Sequence, residues 1–475
     1  MTTHQRFAPA ALVVALALAG CASFDGSKPQ SALRDANTLA AARTLESNAV
    51  AAQWPVDGWW KQFNDPQLDA LIEQATHDSP QIAIAQARLR RADALARVAG
   101  ATTKPSVTGN VGITEQLFSE NSIYPPPFAG SWNTQNQATI DFSYEFDFWG
   151  KNRANLRAAL GEAKAAQVDA DASRLMLSVG IALAYVELKR DYAQLDVERA
   201  TLDQRQKLYD LTSQRYAAGL DSKVELKQAE TALPQSRERI ARLEESIAIA
   251  KNRLAALVGA GPDRGLDIRR PVAREVPVGL PATLPADLIG RRPDIVAQRL
   301  RVEAASADID AATAAFYPNV SLAAFVGFQS IGLSKFIRSG SEIAGVGPAL
   351  SLPIFEGGRL RGNLAAKNAD YDIAVEQYNQ ALVQALQEVS DQLTSIRALE
   401  TRRRESTAAL ASSQEAYDLA VLRYREGLGN YLQVLIAETQ VLVQRSLAAD
   451  LDARGLELSV NLIRALGGGY QGAQS

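Results

Sequence analysis

The sequence predicts a mainly α fold with a smaller β part, assembled from two copies of one plan. Three observations carry this: segments that recur at a nearly constant offset, apolar residues that repeat every seven positions, and stretches of strict alternation. Pro80-Gln81-Ile82-Ala83 and Pro105-Ser106-Val107 match Pro293-Asp294-Ile295-Val296 and Pro318-Asn319-Val320 at an offset of 213. Asp147-Phe148-Trp149-Gly150-Lys151-Asn152-Arg153 matches Pro353-Ile354-Phe355-Glu356-Gly357-Gly358-Arg359 at 206. Arg215-Tyr216-Ala217-Ala218-Gly219-Leu220 matches Arg423-Tyr424-Arg425-Glu426-Gly427-Leu428 at 208, and Ala229-Glu230-Thr231 then falls over Ala437-Glu438-Thr439. Three matches in one order mean a duplication. Residues 53–260 form the first repeat and 286–467 the second; the Pro/Arg-rich stretch 261–285 joins them, and 468–475 is a tail.

Within each half the order reads helix, two strands, long helix, turn, helix. In residues 137–148 the even positions are Ala138, Ile140, Phe142, Tyr144, Phe146 and Phe148, and the odd ones are polar. Such period-2 alternation makes a sheet with one wet and one apolar face. Val107, Gly109, Val111 and Ile113 mark the strand before it. Val320, Leu322, Ala324, Val326 and Phe328 mark a third, and 344–354 a fourth, with Pro348 as an expected break. In the helices, Leu226, Leu233, Ile240, Ile247 and Leu254 recur by seven, with Ala229, Ser236, Leu243, Ala250 and Leu257 three further on. That is a coiled-coil heptad, in which Pro234 is expected to introduce a kink. Leu188, Leu195, Leu202, Tyr209 and Tyr216 repeat likewise, as do Leu435, Leu442, Ala449, Leu456 and Ile463. No proline interrupts 150–217, which allows a helix on the order of 100 Å long.

Composition removes whole classes of function. With 50 Lys+Arg against 53 Asp+Glu the net charge is −3, which offers nucleic acid no basic face. Two histidines and one cysteine exclude disulfides within the chain and leave no set for a Cys/His zinc site. Gly259-Ala260-Gly261 lacks the Gly-Lys-Ser/Thr of a phosphate loop and reads as a helix C-cap. No catalytic residue, cofactor or metal is expected, and the chain reads as no enzyme. Mean hydropathy is −0.12, and beyond residue 21 no run is apolar enough for a membrane helix.

The N-terminus is different. Residues 8–20 have the length of a secretory signal core and end in Leu18-Ala19-Gly20-Cys21. This resembles the bacterial lipobox, which implies that 1–20 is a signal peptide and that Cys21 carries S-diacylglycerol and an N-palmitoyl chain. Ala22, where aspartate would retain a lipoprotein at the inner membrane, implies the outer membrane. Residues 21–52 read as a lipidated tether.

Four strands of roughly 10–13 residues match an outer-membrane crossing at a tilt, yet the smallest barrels need about eight strands. If the strands span the membrane, several chains must complete one barrel, because an open edge in hydrocarbon leaves backbone groups unsatisfied. At this point the chain resembles the TolC family of outer-membrane efflux proteins, in the lipoprotein branch that serves resistance-nodulation-division (RND) pumps. The lipobox, Trp54-Pro55 through Trp59-Trp60, Phe63-Asp65-Pro66-Leu68, Arg291-Arg292-Pro293-Asp294-Ile295 and the twin Arg-Tyr-x-x-Gly-Leu turns carry the resemblance.

The resemblance implies a homotrimer, with a 12-stranded transmembrane β-barrel of four strands per chain, continued by a periplasmic α-helical barrel of long coiled-coil helices. It implies a passive exit duct for drugs or other toxic small molecules, delivered by an inner-membrane RND transporter and a periplasmic adaptor. The entrance would be formed by Arg215, Tyr216, Gly219 and Glu225 on one hairpin and Arg423, Tyr424, Gly427, Leu432, Gln433 and Ile436 on the other. Leu432 takes the family's apolar ring position, whereas Gln433 and Ile436 stand where aspartates are common. Thr139, Asp141, Ser143 and Glu145 would face the barrel lumen, and Ile140, Phe142, Tyr144 and Phe146 would face outer-membrane lipid or a neighbouring strand. A type I protein-secretion duct shares this architecture. A coiled-coil lipoprotein without a pore would explain the heptads but not the duplicated strand pairs.

Overall fold

The computed structural model of the chain describes residues 28–39, 53–121, 123–275 and 288–472; Cys21 and the signal segment lie outside them. The elements are α1 (Pro66–Asp78), α2 (Pro80–Ala101), β1 (Ser106–Leu117), β2 (Trp132–Phe146), α3 (Lys151–Ala217), α4 (Lys223–Leu257), α5 (Pro293–Ala314), β3 (Asn319–Ile331), β4 (Glu342–Ser351), α6 (Arg359–Arg425) and α7 (Tyr431–Ala465), with a few single turns between them. The duplication is written in their lengths: α2 and α5 have 22 residues each, α3 and α6 have 67, and α4 and α7 have 35.

The chain divides into two compact units. The first contains 89–166 and 298–378, and therefore the sheet. Its order is β1-β2-β3-β4, antiparallel throughout. The register gathers Val107, Val111, Ile140, Phe142, Leu322 and Val346 on one face, and Thr108, Asn110, Thr139, Asp141, Ser143 and Glu145 on the other. The apolar face is open to a large extent: Val107 is 68% exposed and Val346 76%.

β2 starts at Trp132, five residues before the alternation suggests, because Thr134 and Asn136 put polar groups on the apolar side. Asn136 is wholly buried, with its amide 3.5 Å from Ser330 Oγ. β4 runs straight through Pro348 and stops at Ser351, short of the expected Ile354. The Gln329 N–H donates to the Ser341 carbonyl at 2.8 Å, which fixes the alternation of the ladder. Pro348, opposite Leu322, falls on a pair without ladder bonds, so its missing N–H faces the free edge and costs β3 nothing. Two edges remain, with the alternate backbone groups of Val107 to Ile113 on β1 and of Ala344 to Leu350 on β4 pointing away from the sheet.

The second unit contains 34–88, 167–297 and 379–475. The heptad residues Leu188, Leu195, Leu233, Ile247, Leu254, Leu456 and Ile463 are buried in it, as a coiled-coil stripe requires. α4 continues through Pro234. The Trp/Phe/Asp motif explains itself here. Trp59 and Phe63 meet edge to face at 6.2 Å within the main core cluster, beside Leu71, Ile72, Tyr185 and Leu254. Asp65, 1% exposed, caps α1 by accepting the Gln67 N–H at 3.0 Å, and it also accepts the Tyr185 hydroxyl at 2.8 Å and the Val272 N–H at 2.9 Å. One carboxylate thus ties α1, α3 and the strap after α4.

Two segments expected to be plain connectors are packed. Gln30 and Ser31 both donate backbone N–H groups to Asp372 Oδ1 at 2.8 Å, so this part of the tether is held on α6. In the joint, Ile268 and Ala273 are buried, and Glu275 holds Arg403 at 2.6 Å; only 276–287 lies outside the described residues. Composition marks the joint by its Pro and Arg content but does not register Ile268 and Ala273, the apolar side chains that find a core.

Asp65→Ala leaves the Tyr185 hydroxyl and the Val272 N–H without an acceptor and removes a helix cap. At about 1–3 kcal/mol per orphaned buried group plus ~1 for the cap, the expected loss is roughly 3 kcal/mol or more. Thermal unfolding of the purified protein, followed by circular dichroism, checks this as a clearly lowered midpoint.

Candidate functional site

Two helical hairpins end close together in the second unit. Gly219 (φ 75°) follows α3 and Gly427 (φ 76°) follows α6. Each closes a Schellman turn, with the Leu220 N–H on the Arg215 carbonyl at 2.9 Å and the Leu428 N–H on the Arg423 carbonyl at 2.8 Å. Ser222 opens α4 as a capping box with Glu225, and Asn430 caps α7 through the Gln433 N–H at 3.1 Å. The Ser222 hydroxyl and N–H hold the exposed Glu225 carboxyl below its ordinary range. The residue expected as entrance charge is therefore also a helix cap.

The two turns share a sequence but not an arrangement. Arg215 is tucked in and Tyr216 is 41% exposed; in the second turn Tyr424 is buried and Arg423 exposed. The buried pair converges on Asp221. Arg215 donates to its carboxylate in a fork, at 3.0 and 3.3 Å, and the Tyr424 hydroxyl donates to the same group. The guanidinium lies 4.6 Å over the Tyr424 ring, and Arg215 Nη1 reaches the Arg425 carbonyl at 3.4 Å. Burial, reinforced by Asp221, pushes the Tyr424 hydroxyl up to about 12, so it stays a donor at every physiological pH. Behind it Tyr424 and Tyr431 pack at 5.8 Å in a cluster with Tyr417, Leu208 and Val434.

Asp221 was not singled out by the sequence. Its counterpart across the repeat is Gly429, and that departure from the duplication is the signal that could have marked it. One layer further along the helices, Arg205 on α3 meets Glu438 on α7 at 3.1 Å, with side chains 10% and 2% exposed, and donates also to Ser236 Oγ and the Ala232 carbonyl on α4. Glu438 was visible only as part of a repeated Ala-Glu-Thr, whose other copy, Glu230, lies at the surface with Lys227.

Leu432, Gln433 and Ile436 lie on the exposed side of α7, and Leu432 and Ile436 are 59% and 58% exposed. Their spacing of four puts them on one stripe, opposite the buried Tyr431, Val434 and Glu438. The other predicted site residues stand on the polar face of β2. Thr139 is nearly buried and donates to Asp141 Oδ2 at 2.8 Å, Asn110 donates to the same oxygen at 2.7 Å, and Glu145 pairs with Lys151 at 2.7 Å. Ser143 lies open on that face. The Arg291-Arg292-Pro293-Asp294 motif is structural: Arg291 lies 4.9 Å over Trp54, while Arg292, 6% exposed, forks onto Asp294 and reaches Glu388 at 2.9 Å and the Ala465 carbonyl at 3.1 Å. Among the described residues no group of His, Cys, Asp or Glu is disposed to hold a metal ion, and no helix is long and apolar enough to cross a membrane.

Residues 71–260 and 284–468 match the family described as outer membrane efflux protein. The chain belongs to that family. The two matched segments correspond to the two repeats. The chain is 42% identical over 371 residues to the fusaric acid resistance protein FusA of Burkholderia cepacia, covering 77% of this chain and 70% of that protein. It is 31% identical over 430 residues to the multidrug resistance outer membrane protein MdtP of Escherichia coli K12, covering 89% and 88%. Among solved structures, the outer membrane protein VceC of Vibrio cholerae superimposes with a TM-score of 0.82 at 41% identity, over 88% of this chain and all of that one. The chain is thus an outer-membrane efflux protein of the TolC architecture, a transport component.

Arg205→Met leaves Glu438 charged, buried and unpaired, at an expected cost of about 3–5 kcal/mol. The double variant Arg205→Met/Glu438→Leu recovers much of this. Denaturant titration of both single variants and the double variant measures the coupling; a double variant as unstable as the sum of the singles contradicts it.

Proposed function

We propose that this chain is one of three identical protomers of a passive exit duct in the outer membrane, through which drugs or other toxic small molecules leave the cell. The observation that carries the reading is the four-stranded sheet with one apolar face, one polar face and two unpaired edges. Such a sheet is stable in hydrocarbon only when its edges are paired, and three copies pair them in a ring of twelve strands. Aromatic residues at one end of the sheet support the membrane placement: Phe148 and Trp149 are exposed, and Trp149 stacks on Tyr317 at 4.7 Å, as in the girdles of membrane barrels. On this reading Ile140, Phe142, Tyr144 and Phe146 face lipid, and Thr139, Asp141, Ser143 and Glu145 face the lumen.

The repeats organise the remaining parts. Cys21 carries the lipid anchor, ahead of the tether that continues to residue 52. The hairpin tips form the periplasmic entrance and the surface met by an adaptor, with an inner-membrane RND transporter supplying the energy that this chain lacks. The names of the relatives, which specify fusaric acid and multidrug resistance, support a small-molecule cargo. The entrance closes by two means: Leu432 and Ile436 pack against their symmetry mates as an apolar constriction, and Arg215, Asp221 and Tyr424 hold the two hairpins of each protomer together.

Single-channel conductance of purified trimers in planar bilayers tests the entrance. Serine at both Leu432 and Ile436 raises it, and so does Tyr424→Phe combined with Arg215→Ala; conductance unchanged by either pair removes these residues from the gate. The facing of β2 is tested by trimer yield. Arginine at Phe142 costs roughly 2–4 kcal/mol near the bilayer midplane. Phe142→Arg therefore depletes assembled trimer on a gel far more than Ser143→Arg, and equal yields contradict the facing.

A further inference from the structure

The polar face of the sheet is unevenly furnished. The side chains around its middle are small: Thr108 on β1, Ala323 and Gly327 on β3, and Gly345 and Gly347 on β4. The next row holds Asn110 and Ile343; in the middle row the register sets two larger residues opposite one another, Asp141 on β2 and Phe325 on β3. Their pair lies between ladder-bonded ones, the arrangement in which facing side chains come closest, about 4.5–5.5 Å between Cβ atoms.

Asp141 is held without a counter-charge. Asn110 and Thr139 both donate to its Oδ2 and leave Oδ1 without a protein donor, and both donors are neutral. The other carboxylate on this face, Glu145, is matched by Lys151. Among the described strand residues Asp141 is therefore the single uncompensated charge of the polar face. Phe325 is equally particular. It is an aromatic residue, 42% exposed, on the face where the other large side chains are polar or aliphatic. A Cβ at Gly345 would come within 2.6 Å of its ring, so that glycine is the shelf on which the ring lies.

We propose that Asp141 and Phe325 form a mid-barrel selectivity station for organic cations that carry a flat apolar surface, repeated three times around the lumen. This rests on the duct reading, which turns the polar face inward and brings three such pairs to one level. Three unpaired carboxylates in a low-dielectric wall concentrate cations and repel anions, and each ring offers a face to which an ammonium group or an aromatic plane is attracted. Asp141 supplies the charge preference and Phe325 the residence of the organic part.

Full-length trimers in planar bilayers under a potassium chloride gradient provide the test. The wild type reverses on the potassium side. Asp141→Asn, which keeps a hydrogen-bonding side chain, moves the reversal potential toward chloride, Asp141→Lys moves it further, and Asp141→Glu restores it. Benzyltrimethylammonium added to one side produces resolved blocking events whose dwell time shortens in Phe325→Leu while the potassium preference stays. A reversal potential unmoved by Asp141→Asn, or dwell times unmoved by Phe325→Leu, overturns the station and leaves the duct intact. Trimers that carry no current at all overturn the duct reading, and this inference with it.

Discussion

Backbone hydrogen bonding at the edges of a four-stranded sheet governs the architecture. The strands pair with each other through forty-odd ångströms of ladder at most, and the ladder ends at β1 and β4 with alternate N–H and C=O groups directed outward. In water such edges invite aggregation; in hydrocarbon each unsatisfied group costs several kcal/mol. The apolar face of the same sheet, with Val107, Val111 and Val346 more than half exposed, needs lipid or protein over it. Lipid can cover that face but cannot pair the edges. A ring of identical sheets would satisfy both demands at once, at the cost of one ladder bond at Pro348, which has no N–H to offer a neighbouring strand.

Gene-level duplication supplies two equal sets of elements, and the hairpin tips show what happens when equal elements diverge. Helices of identical length end in turns that share Arg-Tyr-x-x-Gly-Leu, yet one turn buries its arginine and the other its tyrosine. A symmetric pair of turns would place like residues against like. The divergence lets a cation and a hydroxyl share one carboxylate, Asp221, that only the first repeat has. The same economy recurs at Arg205, whose partner Glu438 has a surface-exposed counterpart in Glu230. In both places charge is buried only where a second element supplies its complement, which is what the cost of desolvation demands.

Two of the motifs that carry the resemblance are bound into the fold. Asp65 accepts from four donors on α1, α3 and the strap after α4. Arg292 is engaged by Asp294, Glu388 and a helix-end carbonyl. Both side chains are committed to holding elements together. The residues with free valence are elsewhere: Leu432 and Ile436 at the hairpin ends, and Asp141 and Phe325 on the polar face of the sheet.

The sequence by itself determined the inventory. Heptads and alternation depend on neighbours two to seven positions away, so the long helices, the four strands, the two faces of β2 and the glycine caps after Arg215 and Arg423 were all legible. So was the two-fold repeat, since duplication leaves matching segments at matching offsets. Strand limits were blurred where local pattern failed, at Thr134 and Asn136 on the apolar side, and the packing of part of the joint after α4 left no mark in the local pattern. What only the tertiary structure decided is which side chains meet. Asp221 and Tyr424 stand 203 residues apart, and Arg205 and Glu438 stand 233 apart. Asp141 and Phe325 face each other solely because β2 and β3, one from each repeat, pair in one register. Periodicity records which face of an element leaves water; it holds no record of the element it leaves water to join, because that choice is made by packing and hydrogen bonding between distant parts of the chain.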